Sequence, residues 1–87
     1  MQATLETARL VAVELRRQDW DRKGLSRVLH VVGSMQERPD ICMSRVHADE
    51  WPRKKAELQA SGAPYYFRMP GETQFTSANG ANWAAGE

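Results

Sequence analysis

Four side chains of the central sequence could do chemistry, either as metal ligands or as a nucleophile with its base. Cys42, His47 and Asp49 lie close together, and His30 could join them from another element. Structural zinc sites are built from two closely spaced ligand pairs, whereas this stretch offers one cysteine–histidine pair. The sequence therefore predicts no metal site, and nothing else in it suggests a cofactor.

Nucleophilic catalysis would need a base held against the Cys42 thiol and a third group to orient that base. The spacing of the two histidines does not require such an arrangement. The chain also lacks a phosphate-binding glycine loop, a nucleophile elbow and a metalloprotease helix motif. We predict that the protein is not an enzyme and has no small-molecule substrate.

Arginine dominates the basic residues, with nine among the twelve lysines and arginines. Its planar fork suits phosphate and carboxylate groups. One row of polar side chains follows helical spacing, and a second basic cluster precedes an aromatic run. The candidate nucleic-acid contacts in these two groups are Lys23, Arg27, Arg53, Lys54, Lys55, Tyr66 and Arg68. The alternative is that the row, which continues through His30 and Ser34, is a solvated helix face and that the aromatic run belongs to the core.

Four large apolar residues do not fit the hydrophobic stripes of the predicted helices. They are Leu10, Val13, Trp20 and Trp83. Because tryptophan and arginine dominate interface energetics, we predict that these four residues contact a partner protein or a second copy of the chain. The alternative is that the helix faces are slightly misassigned and that these residues are internal.

The whole-chain properties indicate one small domain, residues 1–83, followed by a frayed tail at 84–87. A length of 87 residues allows only a small core, and the single cysteine excludes an internal disulfide. The net charge of +1 neither favours nor opposes a nucleic-acid partner. Neither a secretory signal nor a long apolar run is evident, so we expect a cytoplasmic protein that does not bind membranes.

The amino-terminal part of the chain predicts a pair of antiparallel helices, 4–18 and 21–36. Apolar residues recur at spacings of three and four in both segments, and Pro39 ends the second. The first stripe is Leu5, Ala8, Val11, Ala12 and Leu15, and the second is Leu25, Val28, Leu29, Val32 and Met35. The short connection between the segments favours a helical hairpin.

The sequence after Pro39 predicts both strands and a helix. Residues 41–46 favour a strand over other structures, and residues 50–61 favour a surface helix that stops at Gly62. A small β-hairpin is predicted from 65–69 and 72–76, with Pro70 and Gly71 at the centre of a type II turn and a flexible tail after it. The predicted fold class is α+β.

These observations favour a non-catalytic interaction protein, such as a small adaptor, inhibitor or regulator. It would bind another protein, or itself as a homodimer, through arginine and aromatic anchors. The alternative is a nucleic-acid-binding regulator that uses helix 50–61 and hairpin 65–76 in the manner of a winged helix.

Overall fold

The structure, a computed structural model, describes residues 9–29 and 34–85. It has the predicted mixture of helix and antiparallel sheet, so the α+β class is confirmed. The elements in chain order are β1 (Leu10–Arg16), α1 (Arg17–Arg22), α2 (Leu25–Leu29), β2 (Ser34–Arg38), β3 (Ile41–His47), a 3-10 turn (Ala48–Glu50), α3 (Trp51–Ser61), β4 (Tyr65–Arg68) and β5 (Thr76–Ala78). Among these helices none is long and apolar enough to cross a bilayer.

The strands form one five-stranded antiparallel sheet in the order β2-β3-β1-β4-β5, with β1 in the middle. Within it Leu15 lies opposite Cys42 on β3 and opposite Tyr65 on β4. Because side chains alternate along a strand, these three residues share one face of the sheet. We call this the inner face and the opposite one the outer face.

The inner face carries the hydrophobic core, because all three helices pack against it. Trp20 from α1, Leu25 and Leu29 from α2, and Trp51 and Leu58 from α3 join the buried inner-face side chains in a single cluster. The strand residues of that cluster are Val11, Val13, Leu15, Cys42, Val46 and Tyr65. On the outer face, Ala12, Glu14, Ile41 and Met43 are buried as well.

The predicted first helix is wrong at residues 10–16, which form the central strand β1, whereas its last two residues, 17 and 18, begin α1. Val11, Val13 and Leu15 point into the core, while Ala12 and Glu14 are buried on the outer face. A strand buried on both faces is nearly continuous in apolar residues, and such a run imitates the spacing of a buried helix. Residues 4–8 of the predicted helix lie outside the described part of the chain.

The predicted second helix, 21–36, is right only in part. Residues 21–22 and 25–29 are helical, but the helix is broken at Gly24 and a strand begins at Ser34. Gly24 has a φ of 71°, which residues other than glycine rarely adopt, and it separates α1 from α2. Leu25 and Leu29 nevertheless occupy the core as their spacing indicated. At the other end of the segment, Ser34–Arg38 forms the edge strand β2. The predicted helical hairpin is therefore absent from the described residues.

Two central elements are as predicted. The segment 41–46 lies within strand β3, and α3 covers all but the first residue of the predicted helix 50–61. Pro52 stands in the first turn of α3, where a missing N–H group costs nothing. The helix ends at Gly62, whose φ of 77° is left-handed and whose N–H group donates to the Gln59 carbonyl.

The carboxyl-terminal strands differ from the predicted hairpin in their position. A turn does form around Pro70 and Gly71, where the Glu72 N–H group donates to the Met69 carbonyl and Gly71 has a φ of 87°. The strand that pairs with β4, however, is β5 at Thr76–Ala78 rather than residues 72–76. The intervening residues 69–75 form a wide loop, as expected because a type II turn matches strand twist poorly in a two-residue connection.

One core side chain gives a direct stability prediction. The Tyr65 hydroxyl is buried and has no hydrogen-bond partner among the described residues. Because an unmade buried hydrogen bond is costly, Tyr65→Phe is expected to raise the free energy of unfolding by roughly 1 kcal/mol at neutral pH, measured by urea denaturation. The matched control is Tyr66→Phe, which loses a hydroxyl that donates to the Trp83 carbonyl and is expected to be destabilised. A Tyr65→Phe protein less stable than the wild type would contradict this account.

The same substitution should change the response to alkaline pH. Burial raises the pKa of the Tyr65 phenol above its ordinary value of 10.0. Between the ordinary and the raised pKa the unfolded chain releases this proton and the folded chain retains it, so wild-type stability falls as pH rises through that window. The phenyl ring introduced by Tyr65→Phe cannot ionise, so the advantage of the variant is expected to grow above about pH 10.

Candidate binding surfaces

The centre of the outer face is a polar and aromatic cluster around Glu14. The Glu14 side chain is fully buried, and its Oε1 atom accepts a hydrogen bond of 3.2 Å from the indole N–H of Trp83. Tyr66 packs edge-on against the Trp83 ring at 4.9 Å between centroids, and the guanidinium of Arg16 lies 5.2 Å from that ring. The carboxyl-terminal segment is thereby fixed to the sheet, so Trp83 is part of the folded surface.

Beside this cluster, two arginines flank a small residue. Ala12 on β1 lies opposite Arg45 on β3 and opposite Arg68 on β4, so all three share the outer face. Neighbouring strands are about 4.8 Å apart, which puts the two arginine Cα atoms roughly 10 Å from each other with only a methyl group between them. Leu10, Met69, Pro70, Gly71 and Glu72 complete a cavity of about 240 Å³, which we call the outer-face pocket.

Both arginines of the outer-face pocket are half-buried. Neither guanidinium has an ion pair within residues 9–29 and 34–85, although Arg68 lies 5.1 Å from the centroid of the Phe75 ring. A ring against one side of a guanidinium leaves its N–H edge available for hydrogen bonding. Partial burial also strengthens the attraction of these charges for an anion. The pocket is therefore suited to a carboxylate or another oxyanion.

A second polar surface lies on the helical side of the molecule, between α2 and α3. It is an open cleft of about 680 Å³. The basic residues Lys23 and Arg27 line one side, Arg53 and Lys54 line the other, and Glu57 is the acid among the lining residues. We call this the basic cleft. It joins two groups of basic residues that are about thirty positions apart in the sequence.

Two of the four predicted partner anchors are core residues. Val13 has no exposed surface and Trp20 is only 7% exposed, and both belong to the hydrophobic cluster. Both are therefore internal. Val13 was assigned to a helix where the chain forms β1, and Trp20 was assigned to a connection where the chain forms α1. Leu10 and Trp83 are half-buried; Leu10 lines the outer-face pocket, and Trp83 packs beside that pocket over Glu14.

The predicted nucleic-acid contacts do not form one surface. Tyr66 and Arg68 lie on the outer face, whereas α3, with Arg53 and Lys54, packs on the inner face. Lys55 is turned to the Phe67 ring, with its Nζ atom 5.0 Å from the ring centroid. A winged-helix arrangement, in which helix 50–61 and the 65–76 segment meet one ligand, is therefore not supported by this geometry. The structure instead brings Arg53 and Lys54 to Lys23 and Arg27.

The residues weighed for catalysis are separated in the fold. Cys42 belongs to the core cluster, while His47 is exposed at the end of β3 and falls on the outer face by alternation. Burial raises the pKa of the Cys42 thiol, an effect that the positive charge of nearby Arg17 partly offsets. His30 lies outside the described residues. No group of three potential metal ligands occurs in the described part of the chain.

Sequence reasoning missed that Arg16 and Arg45 share one face of the sheet with the buried Ala12. The signal that could have found them is the two-residue period of β1, in which Ala12, Glu14 and Arg16 alternate with Val11, Val13 and Leu15. Comparison of the chain with protein-family models, curated proteins and solved structures found no match. The candidate function must therefore be argued from these two surfaces.

Proposed function

We propose that the protein is a non-catalytic interaction protein that binds an acidic segment of a partner protein on the outer face of its sheet. The observation that carries this proposal is the pair Arg45 and Arg68, half-buried on either side of Ala12 without an ion pair among the described residues. A carboxylate between them would receive charge-assisted hydrogen bonds from both guanidinium groups.

Charge complementarity supports an acidic occupant. Arg16, Arg45 and Arg68 all belong to the outer face by the strand register. Glu14 lies below them, bonded to the Trp83 indole, and Glu72 accepts a 3.2 Å hydrogen bond from the Met69 backbone N–H group. These two carboxylates already accept hydrogen bonds from the protein itself. Those hydrogen bonds leave both negative charges in place, but three arginines outnumber the two carboxylates. An external carboxylate would therefore still meet a net positive charge among these groups.

The apolar rim of the pocket supports a polypeptide over a nucleic acid. Leu10, Met69 and Pro70 line it and can contact an aliphatic side chain next to the bound carboxylate. Single-stranded nucleic acid is held largely by bases stacked on aromatic rings. On this face the Trp83 ring already contacts Arg16 and Tyr66, and the Phe75 ring contacts Arg68. Stacking on these rings would require the protein to give up its own contacts.

The proposal is tested with a blocked, fluorescent peptide of alternating Glu and Leu, titrated with the purified protein. The wild type is expected to bind it, and Arg45→Ala or Arg68→Ala is expected to weaken binding at least roughly tenfold each, since hydrogen bonds to charged groups contribute about 1.5–3 kcal/mol. A peptide of alternating Lys and Leu should not bind. The matched control is Arg22→Ala, which removes the same charge from an exposed position on α1.

Loss of affinity in Arg22→Ala equal to that in Arg68→Ala would show that only net charge matters and would overturn the proposal. Absence of binding by the wild type would overturn it as well. A second copy of the chain is another occupant to be tested, by analytical ultracentrifugation over a wide concentration range. If the wild type formed a dimer and Arg68→Ala did not, the outer face would be a self-association surface and not the binding site of an acidic partner.

A further inference from the structure

We infer that the basic cleft is a second binding site, independent of the outer face, and that its ligand carries phosphate groups. The cleft lies against α2 and α3, on the opposite side of the sheet from the outer-face pocket. Four basic side chains from two parts of the chain converge on it, so the folded protein concentrates positive charge that its net charge of +1 does not reveal.

The basic side chains of the cleft have different roles. Lys54 is held in place, because its Nζ atom donates to the Val28 carbonyl and lies 3.9 Å from the Glu50 carboxylate, and its side chain is only 12% exposed. Its charge stays close to the cleft without being free to follow a ligand. Lys23 and Arg27 are exposed and have no ion pair among the described residues, so they can reach a ligand.

Arg53 is the third residue able to move to a ligand. Its side chain is 69% exposed, and its only described ion pair is a 3.4 Å contact with Glu50, about one helical turn earlier in the chain. Exposed pairs of this kind contribute little to stability, so Arg53 can exchange Glu50 for a ligand phosphate at small cost. Arg27 and Arg53 can then approach one phosphate from the two sides of the cleft.

The volume and shape of the cleft also fit a phosphate-bearing chain. About 680 Å³ of open space is far more than one phosphate needs and leaves room for the groups attached to it. Gly24 contributes no side chain at the edge of α2, and Leu25 and Val28 add apolar surface. Such a cleft can take a nucleic-acid backbone or a free phosphorylated compound, and the shared chemistry is the phosphate.

Substitution of Glu57 tests the inference through an expected gain in affinity. Its carboxylate lines the cleft and repels a phosphate, so Glu57→Gln is expected to raise affinity severalfold. A variant that binds more tightly cannot be explained by misfolding. The removal of a cation, as in Arg27→Ala or Arg53→Ala, is expected to lower affinity roughly fivefold to tenfold and to reduce the salt dependence by about one phosphate contact.

The experiment measures the binding of a labelled oligothymidine by fluorescence anisotropy. Inorganic phosphate and polyglutamate are added as competitors. We expect oligothymidine to bind, Arg27→Ala to weaken it and Glu57→Gln to strengthen it. Arg22→Ala is the matched control, because Arg22 precedes Lys23 in the chain but does not line the cleft. Efficient competition by inorganic phosphate would indicate a free phosphorylated ligand, and weak competition would indicate the nucleic-acid backbone.

If polyglutamate displaced the labelled oligothymidine as well as unlabelled oligothymidine does at the same concentration of charge, the inference would be overturned. The cleft would then be a nonspecific anion surface. An affinity that Glu57→Gln and Arg27→Ala leave unchanged would overturn it too. These outcomes are independent of the outer face, since the Glu–Leu peptide is expected to bind Arg27→Ala and Glu57→Gln as it binds the wild type.

Discussion

Trp20→Ala is expected to lower the free energy of unfolding by about 3–5 kcal/mol, the usual cost of deleting a buried aromatic side chain. Trp20 is only 7% exposed and packs within the core cluster, between the helices and the inner face of the sheet. In a chain of 87 residues this loss corresponds to a fall in melting temperature of at least roughly 12 °C. Thermal and urea denaturation measure both quantities.

The control for Trp20→Ala is Trp20→Phe, which keeps an aromatic ring in the core. Its stability cost is expected to be clearly smaller, because less buried apolar surface and volume are lost. If Trp20→Ala instead melted like the wild type and selectively lost peptide binding, Trp20 would be an exposed anchor and the described core would be wrong.

The second large effect is expected when the charges of both arginines in the outer-face pocket are reversed. The double variant Arg45→Glu and Arg68→Glu is expected to lose at least about 100-fold in affinity for the Glu–Leu peptide. Two favourable charge contacts are removed, and two carboxylates take their place beside Ala12. Like charges across an interface are strongly unfavourable, so the peptide is also repelled.

The same double variant allows a gain of function to be measured. The Lys–Leu peptide, which should not bind the wild type, is expected to bind the reversed pocket. Circular dichroism and the melting temperature establish that the variant is folded, since both positions are half-buried without being in the core. A folded variant that bound the Glu–Leu peptide as the wild type does would place the binding site elsewhere on the molecule.

The part of the fold that could be predicted is the part with strong local signals. Helix α3 is marked by Pro52 in its first turn and by Gly62 at its end, and the turn after β4 is marked by Pro70 and Gly71. Strand β1 had no breaker residue to mark its ends. Its residues 11–15 are buried on both faces, so its two-residue alternation is weak and its apolar run also fits helical spacing.

The candidate sites depend on contacts that a single sequence does not reveal. Ala12, Arg45 and Arg68 come together through the register of three strands, and a shift by one residue would turn each side chain to the other face. The basic cleft likewise needs the break at Gly24, which lets α2 approach α3. The residue types were visible beforehand, as the identification of Arg27, Arg53 and Arg68 shows, but their grouping was not.

The most direct measurement of the central claim is a map of amide chemical shifts in ¹⁵N-labelled protein as the Glu–Leu peptide is added. The account predicts that the largest changes fall on the outer face, at Ala12, Arg45 and Arg68, with the amides around Arg27 and Arg53 little affected. Changes confined to the basic cleft, or no saturable change anywhere, would contradict the claim that the outer face binds an acidic partner.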